Sequence, residues 1–545
     1  MKKIIAAVIV LSMLIVCVSP AFAAVKMPAP VVYVAGQTAY IYSDKNDIDS
    51  ELYITNTLPE GLLEDTMNDL TRPLVKGLGT GNWDEYCDVL YNALAPVFSE
   101  IALDKNGEPK NDTGYDCVKD TEPTDRAVNG RYSLYDYRFI YDWRLDPCAT
   151  ADELNDYIIA VKAATGASKV NLACRGLGYS IVLAYLAEYG CDDVNELALY
   201  NVGLGGVDVC GAMFSGRLEL DGDALVRFIE TTDTDNVLLN FVKGSIGYLN
   251  SNGALADPLK ITERVYGKIY EKVLPRLLRE NFGTMPGYWS LVGDEYYEDA
   301  IALNFGDEES AEQYGGLIEK LNNFHYGVFD NARAILDSAL ENGVHIYNIV
   351  KYGKQLVPVT ENSAAQSDRL VSLYNQTWGA TAADYGEDAL SDEYLADLAD
   401  NGTLDFVSPD ACIDASTGFI PEHTWFIKNL DHDEMPECAD ALMAAAFNFN
   451  GYLTVFDFED YPQYLFCSKE KTELHPLNGE GGSDYEESDL LFDWRENLTF
   501  TGVIQFFRDL ILNITKAIIM IIRASQGITA QIESEVEVET ETLAG

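Results

Sequence analysis

The chain is poor in basic residues: Lys and Arg total 37 against 88 Asp and Glu in 545 residues, a formal net charge of -51. A polyanion of this size repels nucleic acid, which is excluded as a partner, and disfavours anionic membrane surfaces for the same reason. Histidine is scarce as well, with 5 residues, His325, His345, His423, His432 and His475, all in the later part of the chain. No Cys-x-x-Cys or His/Cys ligand spacing occurs, so zinc and dithiol chemistry have no motif, and neither a metal nor a cofactor is expected. The run Gly203-Leu204-Gly205-Gly206 lacks the spacing and the acidic partner of a dinucleotide fingerprint and reads as a turn.

What is abundant is apolar and aromatic: 48% of residues are hydrophobic, with 33 Tyr, 22 Phe and 6 Trp, enough for a large core and against general disorder. The N-terminus carries Lys2 and Lys3, an apolar run from Ile4 to Val18 and the small-residue pattern Ala21-Phe22-Ala23. This is the pattern of a secretory signal cleaved after residue 23, so a secreted or extracytoplasmic protein is expected. A lipoprotein site at Cys17 is disfavoured because Val16 stands where a small residue is needed. Nine cysteines remain after cleavage. Cys87 and Cys117 lie in a polar stretch and are candidates to pair, whereas Cys174, Cys191 and Cys210 border apolar runs and read as buried thiols.

Short apolar runs bounded by turn residues and followed by helical periodicity mark parallel strands at Val31 to Ala35, Tyr137 to Tyr141, Lys169 to Cys174 and Leu197 to Val202. Val344 to Val350 and Thr424 to Ile427 follow later. Alternating strands and helices imply an α/β fold with a mostly parallel sheet, whose functional groups gather at the carboxyl ends of the strands. The long intervals at about 37–136, 207–340 and 351–407 read as insertions capping that edge, the second of them helical through Ile261 to Leu278. The domain is expected to span 24–473. An acidic, Gly-rich linker (474–500), an amphipathic helix (501–527) and an acidic disordered tail (528–545) follow. In that helix, Val503 to Arg523 is interrupted by Arg508, Asp509 and Lys516, too much charge for a membrane span. It is expected to dock on the domain or another copy, or to lie in a membrane interface.

The strand at Lys169 to Cys174 runs into Cys174-Arg175-Gly176-Leu177-Gly178-Tyr179-Ser180 and then an apolar helix, Ile181 to Tyr189. Strand, Gly-rich turn and helix make the nucleophile elbow of α/β-hydrolases, G-x-S-x-G. In register, Gly178 fills the last glycine and Gly176 takes the place of the serine. Other nucleophiles fit less well. Ser245, in Lys243-Gly244-Ser245-Ile246-Gly247, has a lysine for the first glycine. Cys174 lies two residues early on the strand, and Ser180 points from the helix.

Several runs taken in order, Val31 to Gly36, Tyr141-Asp-Trp-Arg-Leu145, the elbow, Met285-Pro-Gly-Tyr-Trp289, Gln376-Thr-Trp-Gly-Ala-Thr381 and Thr424-Trp-Phe-Ile-Lys428 through His432, resemble the lecithin:cholesterol acyltransferase family. The similarity extends from about Val31 to Asp440, and Tyr-Asp-Trp-Arg is its most specific piece. The resemblance implies an α/β-hydrolase fold, acyl transfer from lipid esters to an alcohol or water, a serine nucleophile, an aspartate after the penultimate strand and a late histidine. It points to His432 as general base and to Asp410 as acid, although Ala411 replaces the glycine that follows the acid. Asp368 and Asp414 are alternative acids. Oxyanion donors would be the N–H groups of Leu177 and of Gln37 or Thr38.

Gly176 cannot form an acyl-enzyme, because it has no side chain. The expectation is therefore a secreted protein of acyltransferase-like fold with impaired chemistry, binding a lipid, an ester or a protein partner. The alternative is an active lipid esterase or O-acyltransferase using a nonstandard nucleophile.

Overall fold

The structure is a computed structural model. It describes residues 27–477 except 37–40, 48–49, 51–68, 71, 74, 75, 78, 100, 116–122, 220–223, 225–266, 269–270, 387–388, 433, 435, 459–460 and 469–471. The signal segment, Gln37, Thr38, Cys117, Ser245, the Val503 to Arg523 helix and the acidic tail all lie outside the described residues.

Eight strands form one sheet: β1 (Val31–Val34), β2 (Tyr137–Phe139), β3 (Val170–Arg175), β4 (Val194–Tyr200), β5 (His345–Tyr352), β6 (Thr424–Lys428), β7 (Tyr464–Cys467) and β8 (Leu474–Pro476). Their order is β8-β7-β6-β5-β4-β3-β1-β2, and every neighbouring pair is parallel except β7 with β8. With its helical insertions this is an α/β fold, consistent with an α/β-hydrolase-like architecture. The six expected strands are present within a few residues of their expected limits. β7 and β8 were not anticipated, and β8 carries the sheet past the expected linker boundary at 474. The reason is length: strands of four and three residues at an edge leave no periodicity to read.

Five helices frame the sheet and the groups at its edge: α1 (Pro147–Thr165), α2 (Gly178–Tyr189), α3 (Asp294–Phe305), α4 (Ala332–Glu341) and α5 (Glu437–Asn448). α1 begins with Pro147 at its first position and the Asp146 carboxylate accepting the Cys148 N–H, and it ends at Gly166 with φ 70°. α2 is buried along its first nine residues, because it lies between the sheet and both α1 and α4. α4 therefore belongs to the layer covering the sheet and leads into β5, although it falls within the expected 207–340 cap.

Strand alternation sorts the core. Val32, Val34, Leu172 and Leu197 face the layer that includes α1 and α2, while Tyr33, Ala173, Ala198 and Trp425 face Leu442, Met443 and Phe447 of α5. From β1 the chain moves outward to β2, then crosses to β3 on the other side. Connections leaving β1 and β3 thus diverge, which makes the carboxyl ends of these two strands the expected crevice for a ligand in such a sheet.

Candidate functional site

β1 and β3 pair in register, Val34 beside Cys174, so the turns after them, Gly36 and Gly176, lie at the mouth of the crevice. A Cβ on Gly36 would sit 3.1 Å from the Arg175 carbonyl oxygen and 3.9 Å from the Leu177 nitrogen, so the two turns are in close approach. Gly178 is fixed even more tightly: its Cβ would meet the Val34 and Ala35 carbonyls at 2.5 and 2.7 Å. Only glycine lets α2 start this close to β1.

Gly176 differs. Its φ is +47°, the left-handed conformation of a strained elbow, yet a Cβ there meets no atom of the described residues within 4 Å. The turn between β3 and α2 thus has space for a side chain at Gly176. What it lacks is the side chain itself. Leu177 is the N-cap of α2, at the helix end where the first N–H groups have no partner within the helix. Cys174 is fully buried, and burial pushes its thiol well above the ordinary range. The Ser180 hydroxyl is buried against Ser290 Oγ at 3.0 Å. Neither is an exposed nucleophile.

His432 lies in the loop after β6, and its Nδ1 is 2.8 Å from Asp368 Oδ2. Asp368 stands beyond β5 and is wholly buried; its other oxygen accepts the N–H groups of Leu370 (2.9 Å) and Val371 (2.8 Å). Burial would raise its pKa, but His432, the Val371 N–H and the Lys351 ammonium outweigh that and hold it below the usual carboxylate range. An ionised carboxylate only accepts, so this bond needs the imidazole proton on Nδ1, which also lies 3.1 Å from Asn201 Nδ2. A histidine whose Nδ1 bonds a buried carboxylate has the arrangement of the base and orienting acid in a serine triad.

The loop bearing His432 is held by its backbone. The His432 carbonyl accepts from Arg175 Nη2, Asn201 Nδ2 and Lys351 Nζ, each at 2.9 Å. Lys351 is fully buried and reaches the Asp431 (3.0 Å) and Glu434 (2.5 Å) carbonyls as well. Next to the dyad, Arg369 Nε bonds Asp431 Oδ1 at 2.9 Å. Gln376, also fully buried, ties Lys351 to the Asp368 loop: its amide donates to the Lys351 and Val371 carbonyls at 3.0 Å and accepts the Lys351 N–H at 3.0 Å.

The expected acid, Asp410, is not on the histidine. Its Oδ2 is 2.6 Å from Lys428 Nζ and its Oδ1 accepts the Ser408 hydroxyl at 2.6 Å, so its position in sequence after β5 translates into a structural ion pair. Asp414 accepts the Ser416 N–H (2.9 Å) and the Tyr394 hydroxyl (2.8 Å) and is likewise committed elsewhere. The carboxylate facing His432 is that of Asp368, the alternative within the segment read as a cap insertion. Asn201 and Lys351 were not foreseen. Asn201 follows β4 at φ +52°, and Lys351 is the one lysine in β5, a strand that also buries Asn348; the charge within that strand was visible in the sequence.

The Tyr-Asp-Trp-Arg run is buried throughout. Asp142 and Arg144 form a buried bidentate pair at 2.9 and 2.6 Å, and Arg144 Nη1 also donates to the Ile101 carbonyl at 2.9 Å. Gly287 docks on this turn, where a Cβ would lie 1.9 Å from the Trp143 carbonyl oxygen. The Tyr141 hydroxyl donates to the Ala35 carbonyl at 2.8 Å, anchoring the turn after β1. Comparison with protein-family models and with curated proteins finds no match for this chain.

Proposed function

We propose that this protein is an α/β-hydrolase-fold relative of the lecithin:cholesterol acyltransferase kind whose acyl transfer and ester hydrolysis are impaired, and that it acts by binding a lipid, an ester or a protein partner at the crevice between β1 and β3. One observation carries the reading: Gly176 occupies the elbow in a left-handed conformation with open space above it, while a histidine held by a buried aspartate stands in the loop after β6. Without a hydroxyl at Gly176 no acyl-enzyme forms, so on this reading the covalent step is missing, and the His432–Asp368 pair and the Leu177 N–H are what remains of the machinery. The leader-like N-terminus supports export, and the amphipathic pattern at 503–523 supports peripheral contact with a membrane or a partner.

The test is to incubate purified protein with short-chain p-nitrophenyl esters and phospholipid vesicles, with and without a fluorophosphonate. The expected result is saturable binding of a fluorescent ester analogue with no phosphonate-sensitive turnover. Robust turnover blocked by the phosphonate overturns the proposal, and a covalent adduct mapped to Ser245 would establish the alternative, an active esterase with a nonstandard nucleophile.

A further inference from the structure

Away from the crevice, Asp294, His325 and Asp330 bring three ligand atoms within 4.8 Å of one another. His325 Nε2 lies 3.5 Å from Asp294 Oδ1 and 3.4 Å from Asp330 Oδ1. Both separations exceed a normal N–H···O hydrogen bond of about 2.7–3.2 Å. They match the edges of a tetrahedral site, since two ligands each about 2.05 Å from a Zn2+ ion stand about 3.4 Å apart. From this geometry we infer that Asp294, His325 and Asp330 bind a divalent cation of the zinc class through one nitrogen and two oxygens, with a fourth position left for water.

The fold prepares this cluster. His325 is buried, with 3% of its surface exposed, and its ring stacks on Tyr297 with centroids 3.5 Å apart and planes 5° from parallel. Tyr297 lies one turn beyond Asp294 in α3, so the stack brings the imidazole edge to the start of that helix. His325–Phe329 is a π-helical turn, and the Asp330 N–H donates to the His325 carbonyl at 2.9 Å. This wider turn pairs residue i with i+5, which an α-helical turn would not do, and so brings the Asp330 carboxylate to His325. Asp294 and Asp330 thus bring two carboxylates to the same nitrogen of one buried imidazole, a donor set that a single cation can share. An imidazole nitrogen in the set favours Zn2+ over the oxygen-seeking Ca2+ and Mg2+. The bound ion would tie the start of α3 to the turn before α4.

The test uses the full chain, stripped with a chelator and desalted, and calorimetric titration with ZnCl2, CaCl2 and MgCl2, alongside thermal melting. One Zn2+ should bind per chain and raise the Tm, and Co2+ should give the visible bands of a tetrahedral site. Asp294→Asn and Asp330→Asn should each weaken Zn2+ binding by more than about tenfold; Asp294 has a side chain 80% exposed, so its replacement leaves the fold intact. No Zn2+ binding, binding unchanged in the Asp294→Asn/Asp330→Asn double variant, or a preference for Ca2+ over Zn2+ overturns the inference.

Discussion

Placing a serine at Gly176 tests the site most directly, because the structure separates the cost of the substitution from its chemical gain. A non-glycine residue held at φ +47° costs about 1–2 kcal/mol. Since a Cβ at this position meets no described atom within 4 Å, steric clash adds nothing. Each kcal/mol lowers the Tm by about 2–4 °C in a domain of 150–250 residues and by less in a larger one, so the expected loss stays under about 8 °C. Gly176→Ala carries the same strain without the hydroxyl and should melt with Gly176→Ser. Only the serine variant should be labelled by a fluorophosphonate and cleave p-nitrophenyl esters, since the proposed triad assigns the hydroxyl proton to His432 and the orientation of its ring to Asp368. Adding Asp368→Asn to Gly176→Ser should lower that turnover by about 10²–10⁴-fold. Labelling is read by intact-protein mass spectrometry and folding by circular dichroism. A folded Gly176→Ser that takes no label, or whose turnover ignores Asp368→Asn, refutes the assignment of these residues. A Gly176→Ala that loses much more than 2 kcal/mol refutes the open position.

Three other perturbations have defined outcomes. Gly178→Ala, two residues away, forces a Cβ to 2.5 Å from the Val34 carbonyl and should prevent soluble expression or lower the Tm far more than Gly176→Ala, which parallel melts would reveal. Lys351→Met leaves the carbonyls of Asp431, His432 and Glu434 without their buried donor and should cost on the order of 3 kcal/mol in urea unfolding. Glu196 is buried, and burial pushes its pKa from an ordinary 4.5 up to about 7, against the opposing bonds from Tyr347 and Asn171. Its folded-state value lies above the unfolded one, so its contribution is full below about pH 4.5 and lost as pH rises through 7. Glu196→Gln, whose amide oxygen can still accept from Asn171, should match the parent at pH 4 and exceed it above pH 7 by up to about 3 kcal/mol; equal unfolding free energies at pH 8 would contradict this.

Much of the site is local in the chain and was therefore legible. The strand–turn–helix around Gly176 needs one strand end, two glycines and an apolar helix in one short stretch, so it could be read directly. His432 could be found because five histidines leave few choices and one of them follows a recognisable strand. The acid was different. Asp410 and Asp368 both follow β5 in sequence, and 88 acidic residues dilute any signal from composition. Lys428, on β6 itself, takes Asp410, whereas the bonds of Gln376 and the Arg369–Asp431 pair fold the preceding loop so that Asp368 faces the imidazole.

Strand pattern, glycine spacing and the order of chemical groups along the chain were thus set by the sequence alone, since each depends on residues within one element or one turn. Which carboxylate meets His432, which buried lysine fixes its loop, and how Asp294 comes to share space with His325 were decided only in the tertiary structure. Those contacts join segments tens of residues apart. Their geometry comes from β5 and β6 lying side by side and from α3 packing on the π-turn, arrangements that leave no periodic trace in the chain.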